Sequence, residues 1–82
     1  MMRFDIVTRT DPQALIRLLN HFAQRDLLPG HVTATQADGR LTICIVQPDM
    51  DEKQARIIAE KMGSSVLVET VCLQPGTAAC AA

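Results

Sequence analysis

The clearest binding chemistry in this chain lies in five consecutive residues, Arg9, Thr10, Asp11, Pro12 and Gln13, where one apolar-alternating run gives way to a helical one. A helix start leaves its first backbone N–H groups without intrahelical acceptors, and the helix dipole adds positive potential there. Carboxylates and phosphates are attracted to such places. A small zwitterion would set its carboxylate on those N–H groups and its amine on Asp11 or a carbonyl. A second group, Leu28, Gly30 and His31, opens a later strand and is expected beside the first. The same turn reads equally well as an ordinary capped helix, with no ligand.

Other reactive side chains form no constellation. Neither His21 nor His31 stands at ligand spacing from a cysteine or carboxylate, and no H-E-x-x-H, P-loop or G-x-S-x-G run occurs. His21 falls on a helix and reads as solvated or capping, whereas His31 has a minority reading as an interface or ligand contact. Asp49, Asp51 and Glu52 cluster at a helix start, where the dipole already favours negative charge. Cys44, Cys72 and Cys80 are odd in number and widely spaced, so neither a disulfide framework nor a zinc site is indicated. Cys44 and Cys72 sit in apolar runs and are expected in the core, with Cys80 an exposed, incidental thiol. No catalytic residue, metal site or cofactor is therefore assigned.

Composition narrows the partners. The chain has 82 residues, enough for one domain, and a formal net charge of −1 with eight basic and nine acidic residues scattered along it. That balance argues against nucleic acid or an anionic membrane surface. Phe4 and Phe22 are the only aromatic residues, so base-stacking platforms are missing too. The opening Met-Met-Arg-Phe-Asp has no apolar signal core, and no run approaches the roughly 18 apolar residues of a membrane span. A cytoplasmic location is the resulting expectation. So small a chain buries only about 60% of the surface its unfolded form exposes, and pairing with a second copy would help it.

The positioning elements follow from period. Phe4, Ile6 and Thr8 alternate with Asp5, Val7 and Arg9, a half-buried strand. Asp11, with Pro12 at the first helical position, or a Thr10–Gln13 capping box, then starts a helix. Leu15, Leu18, Leu19 and Phe22 form its apolar stripe, and Leu27-Leu28-Pro29-Gly30 is expected to end it. His31 to Ala37 and Arg40 to Gln47 flank Asp38-Gly39, a dipeptide suited to a type I′ hairpin turn. The first of these strands is thin and polar, whereas Leu41 to Val46 is apolar on both faces and reads as central. Asp49 or Asp51 caps a second helix bearing Ala55, Ile58, Ala59 and Met62, with Gly63 as its stop. Ser65 to Leu73 makes the last strand, and residues 74–82 are expected to form a flexible tail.

The order βαββαβ, with right-handed crossovers, implies an α+β ferredoxin-like sandwich. Its antiparallel sheet takes the order 4-1-3-2, with both helices on one face. Strand two then lies at an edge without Lys, Glu or Pro inside it, so a homodimer through His31 to Ala37 is expected.

Asp11-Pro12-x-x-Leu15, the helix through Phe22-Ala-Gln-Arg25 and the β-turn-β-α-β remainder resemble an ACT domain over residues 1–73. Within that family the chain looks most like the short small subunit of acetohydroxyacid (acetolactate) synthase. The resemblance implies a non-catalytic regulatory domain that binds a small amino acid of the branched-chain class at a dimer interface and modulates a catalytic large subunit. The binding residues it implies are Arg9, Thr10, Asp11, Pro12, Gln13, Leu28, Gly30 and His31. Two departures stand out. Gln13 occupies the place of a family glycine, and Asp26-Leu27-Leu28-Pro29-Gly30 replaces the usual Gly-Ile/Phe-Asn-like entry to strand two. The resemblance leaves an alternative open, a ligand-free partner that only stabilises a catalytic subunit.

Overall fold

The computed structural model describes residues 2–75. The expectations for a fraying tail beyond Pro75 and for Cys80 concern residues outside that range. The elements run β1 (Met2–Arg9), α1 (Ala14–Ala23), β2 (His31–Ala37), β3 (Arg40–Gln47), α2 (Glu52–Gly63) and β4 (Val68–Pro75). They build one sheet in the order β2-β3-β1-β4, which is the expected 4-1-3-2 seen from its other edge. All three neighbouring pairs are antiparallel.

Strand period decides which face is buried. Along β1 the buried residues are Met2, Phe4, Ile6 and Thr8, every second one. Ile43, Ile45 and Gln47 continue that face on β3, and Val71 and Leu73 continue it on β4. Against it pack Leu18 and Phe22 of α1 and Ala55, Ile58 and Met62 of α2. Phe4 and Phe22 meet edge to face, with ring centroids 5.2 Å apart, a geometry worth about 0.5–1.5 kcal/mol beyond area burial. Strand β3 is an inner strand between β2 and β1, and on its face away from the helices Cys44 is buried while Thr42 is exposed and Val46 half-buried. Cys44 is disulfide-bonded, whereas the spacing of the cysteines indicated no disulfide framework. Cys72 is an exposed free thiol rather than a core residue.

The ends of the elements depart from the sequence reading in instructive ways. Helix α1 begins at Ala14, two residues after Pro12. Its innermost stripe is Ala14, Leu18 and Phe22, while Leu15 and Leu19 are half-buried at its border. The helix itself ends at Ala23, and the turn that closes it reaches Asp26, well before Pro29. The Leu27 N–H donates to the Phe22 carbonyl (2.9 Å) and the Asp26 N–H to the Ala23 carbonyl (3.1 Å). These are the paired bonds of a Schellman ending, with Asp26 in the left-handed region at φ 56° where glycine is usual. Gly63, by contrast, is simply the last residue of α2, and Ser64 caps that helix in right-handed geometry. Asp51, not Asp49, caps the start of α2, its carboxylate accepting the Gln54 N–H at 2.7 Å. Asp38 and Gly39 take φ of 53° and 73°, as the type I′ turn requires. Strand β4 starts at Val68 because Ser65 to Leu67 form a turn, closed by the Val68 N–H on the Ser65 carbonyl (3.2 Å). It runs through Gln74 to Pro75, so these two residues belong to the sheet and not to the tail.

The two sheet edges differ. Strand β4 has α2 packed over it. All seven residues of β2 are exposed, Val32 at 37% on the helix-facing side included.

Candidate functional site

Asp11 organises the start of α1. Its carboxylate accepts the Gln13 N–H at 2.8 Å, and its carbonyl accepts the Ala14 N–H at 3.1 Å. The N-cap position is Gln13, which makes no side-chain cap hydrogen bond, so the expected Asp11 cap is replaced by an Asx turn that precedes the helix. It also occupies two of the N–H groups that an incoming carboxylate would use. The Gln13 side chain makes no capping box with Thr10. Instead its Oε1 accepts from Arg17 Nη2 at 2.9 Å, one helical turn along.

Beside this turn lies a cleft of about 290 Å³ lined by Thr10, Asp11, Pro12, Leu15, Ala34, Gln36 and Leu41. Its size is at the lower limit for small-molecule sites. Pro12, Leu15, Ala34 and Leu41 give it an apolar wall, and Asp11 gives it one negative charge. One side is the uncovered strand β2.

The structure divides the expected binding residues into separate groups. Thr10, Asp11 and Pro12 line the cleft. Arg9 alternates onto the opposite face of the sheet, directly across from Arg40, which pairs with Glu69 at 3.1 Å. Gln13 turns towards Arg17. Leu28, Gly30 and His31 lie at the far end of the sheet, which corrects the expectation that they sit beside the helix start. His31 is level with Val46 and Arg3, whereas Gln36 is level with Leu41 and Thr8. Five residues of strand separate the two rows, about 17 Å. The reason is topological. Strands β1 and β2 point the same way, so α1 must carry the chain back along the sheet before β2 can begin. The Gly30 N–H is also engaged, donating to the Val46 carbonyl at 2.8 Å, and a Cβ there would come 3.3 Å from Pro48 Cδ.

Motif reading missed Leu15, Ala34, Gln36 and Leu41. The signal was nonetheless present: the Asp38-Gly39 turn sets the register that puts Gln36 opposite Leu41, and alternation turns Ala34 and Gln36 to the helix side. Among the described residues, no group of three or more His, Cys, Asp or Glu is placed to hold a metal ion. No helix among them is long and apolar enough to cross a membrane.

The model of a family described as an ACT-like domain matches residues 1–80. The chain belongs to the ACT-like domain family. Solved structures agree at the level of the fold. The ACT domain of the GTP pyrophosphokinase of Chlorobium tepidum superposes with a TM-score of 0.75 at 14% identity, covering 89% of this chain and 95% of that one. The C-terminal domain of the MgtC protein from Mycobacterium tuberculosis gives 0.71 at 16% identity, with 99% and 92% covered. The ligand-free regulatory subunit of aspartate kinase from Thermus thermophilus gives 0.69 at 13% identity, with 90% of this ACT-like chain covered but only 50% of the subunit. No curated protein matches the sequence.

Proposed function

We propose that this ACT-like chain is a non-catalytic regulatory module that binds a small amino acid, of the branched-chain class, between two copies of itself and modulates a biosynthetic enzyme. An acetolactate synthase large subunit is the partner that the Asp11-Pro12-x-x-Leu15 resemblance suggests. The observation that carries the reading is strand β2, exposed along its whole length and bordering the Asp11 cleft.

Pairing β2 antiparallel with its own copy extends the sheet across a two-fold axis. With the axis at Ala34, the middle of the seven-residue strand, the beginning of each β2 comes beside the end of the other. That places His31 of the partner subunit, with Leu28 just before it, next to the Thr10–Pro12 cleft. The two groups of expected residues, about 17 Å apart within one chain, would then meet between chains. Leu28 is 84% exposed in the single chain, so it is free to be covered in such a pairing. In the proposed complex Asp11 receives the ligand's ammonium group, and Pro12, Leu15, Ala34 and Leu41 receive an aliphatic side chain.

A second reading has its own observation. The Asp11 carboxylate already fills the anion position at the helix start, and Gln13 brings a side chain where the family pattern has glycine. These favour a module that pairs and stabilises a catalytic subunit without binding a ligand. Thermal unfolding against a panel of amino acids separates the two. A ligand at a hundredfold its dissociation constant adds about 2.7 kcal/mol, and each kcal/mol raises the midpoint of a domain this size by about 4–8 °C. A shift for valine, leucine or isoleucine is the expected result. A flat response to the whole panel rejects the sensor and leaves the ligand-free partner.

A further inference from the structure

Helix α1 has a second hollow on its other flank, where it faces the turn between α2 and β4. This space of about 230 Å³ is lined by Ala14, Arg17, Leu18, Asn20, His21, Ser65, Leu67 and Val68. Nothing in the amino-acid reading of the Asp11 cleft uses it. We propose that it is a separate ligand site, selective for a small monocarboxylate with a branched apolar body and no amino group.

Arg17 and His21 stand one helical turn apart on the wall, and the lining contains no acidic residue. Arg17 spends one guanidinium nitrogen on Gln13 and has further donors in its planar fork. Partial burial, followed by the charges of Lys61 and Arg25, holds the His21 pKa below its ordinary value of 6.5. Beyond the effect of burial, the positive charges felt at the imidazole come from Arg25, just past the end of α1, and Lys61 on α2, and Arg17 stands on the same wall. The β4 side contributes Ser65, Leu67 and Val68, none of which is charged. Such a site attracts a carboxylate and repels an ammonium, so a zwitterionic amino acid gains little there.

Shape and polarity then set the body of the ligand. Ala14, Leu18, Leu67 and Val68 provide apolar surface, with Leu18 fully buried beneath. The volume falls below the usual range for drug-sized ligands and suits a short branched chain. Asn20 and the Ser65 hydroxyl offer neutral partners for a second oxygen. A short-chain carboxylic acid, or its 2-oxo counterpart, meets these requirements. The Asp11 cleft has the opposite charge and selects the opposite feature.

The test is an NMR titration of the full chain with isovalerate, using isopentylamine as a probe of similar size and reversed charge. Sodium chloride at matched ionic strength controls for non-specific anion effects. Isovalerate is expected to shift the Leu18, Leu67 and Val68 methyl signals saturably, whereas isopentylamine and chloride leave them in place. Both Arg17→Gln and Asn20→Asp alter exposed positions and preserve the fold. Each should weaken isovalerate binding about fivefold or more, since a charge-assisted hydrogen bond is lost or a repulsive charge gained. Equal shifts with the amine, or unchanged binding in both variants, would overturn the assignment. The amino-acid panel reads the other flank and can succeed or fail independently.

Discussion

The two hollows beside α1 are separated by the width of one helix, yet they differ in charge, in walls and in completeness. The Asp11 cleft carries one negative charge and has the bare strand β2 as a side. The His21 hollow carries two basic side chains and is walled by α1 and the α2–β4 turn. Period explains the division. Leu15 points to one flank, while Ala14, Leu18 and His21 point to the other, and 3.6 residues per turn keep the two sets apart. A cleft built on an unpaired edge depends on whatever covers that edge. A hollow built between packed elements depends on nothing outside the chain. The comparison therefore makes oligomeric state the variable that should affect one flank and spare the other.

The largest separation should come from Val32→Lys. A lysine on a sheet edge opposes edge-to-edge pairing, and Val32 is exposed enough in the single chain to tolerate the change. Sizing chromatography is expected to show the mass halved. The amino-acid-dependent stabilisation, about 2.7 kcal/mol at a hundredfold the dissociation constant, should disappear with it. Isovalerate binding at His21 should be unaffected. A variant that remains dimeric would move the interface away from β2.

Asp11→Ala should act on the same cleft with a smaller effect. Loss of the Asx-turn hydrogen bond costs about 1 kcal/mol, so the unfolding midpoint falls by about 4–8 °C. Any amino-acid response should vanish, because the only acidic residue lining the cleft is gone. Thermal scans with and without ligand check both effects. An intact response in the destabilised variant would place the amino acid elsewhere and leave Asp11 with only its Asx-turn role.

The fold was more legible in the sequence than the site, and the reasons are specific. Period two in β1, two-faced apolarity in Leu41 to Val46 and the Asp38-Gly39 turn are local signals, and each matches the structure. Boundaries misled wherever a common residue took an uncommon role. Asp26 adopts the left-handed position that glycine usually fills, whereas Gly63 stays within its helix. Val66 and Leu67 look like strand residues but lie in a turn. The binding residues were harder because they depend on direction. Thr10 to Pro12 could be found from helix-start chemistry. That Leu28 to His31 lie at the other end of the sheet follows only when α1 is traced back along it. The His21 hollow had no motif at all, since it joins one face of α1 to a turn more than forty residues later.

The smallest expected effect is a pH dependence confined to the second flank. His21 titrates below 6.5 in the folded chain, because burial first and then Lys61 and Arg25 disfavour its charged form. Between that lowered value and 6.5 the unfolded chain binds more protons than the folded one, so stability rises with pH through this window. The contribution is present in full above about pH 6.5 and is lost as the pH falls through the folded pKa. Chemical denaturation between pH 5 and 7.5 should show this slope, and His21→Gln should reduce it. Isovalerate supplies the missing counter-charge, so it should raise the His21 pKa and flatten the slope in the native chain, whereas valine in the Asp11 cleft should leave it unchanged. If valine flattened it and isovalerate did not, the charges of the two flanks would have been assigned the wrong way round.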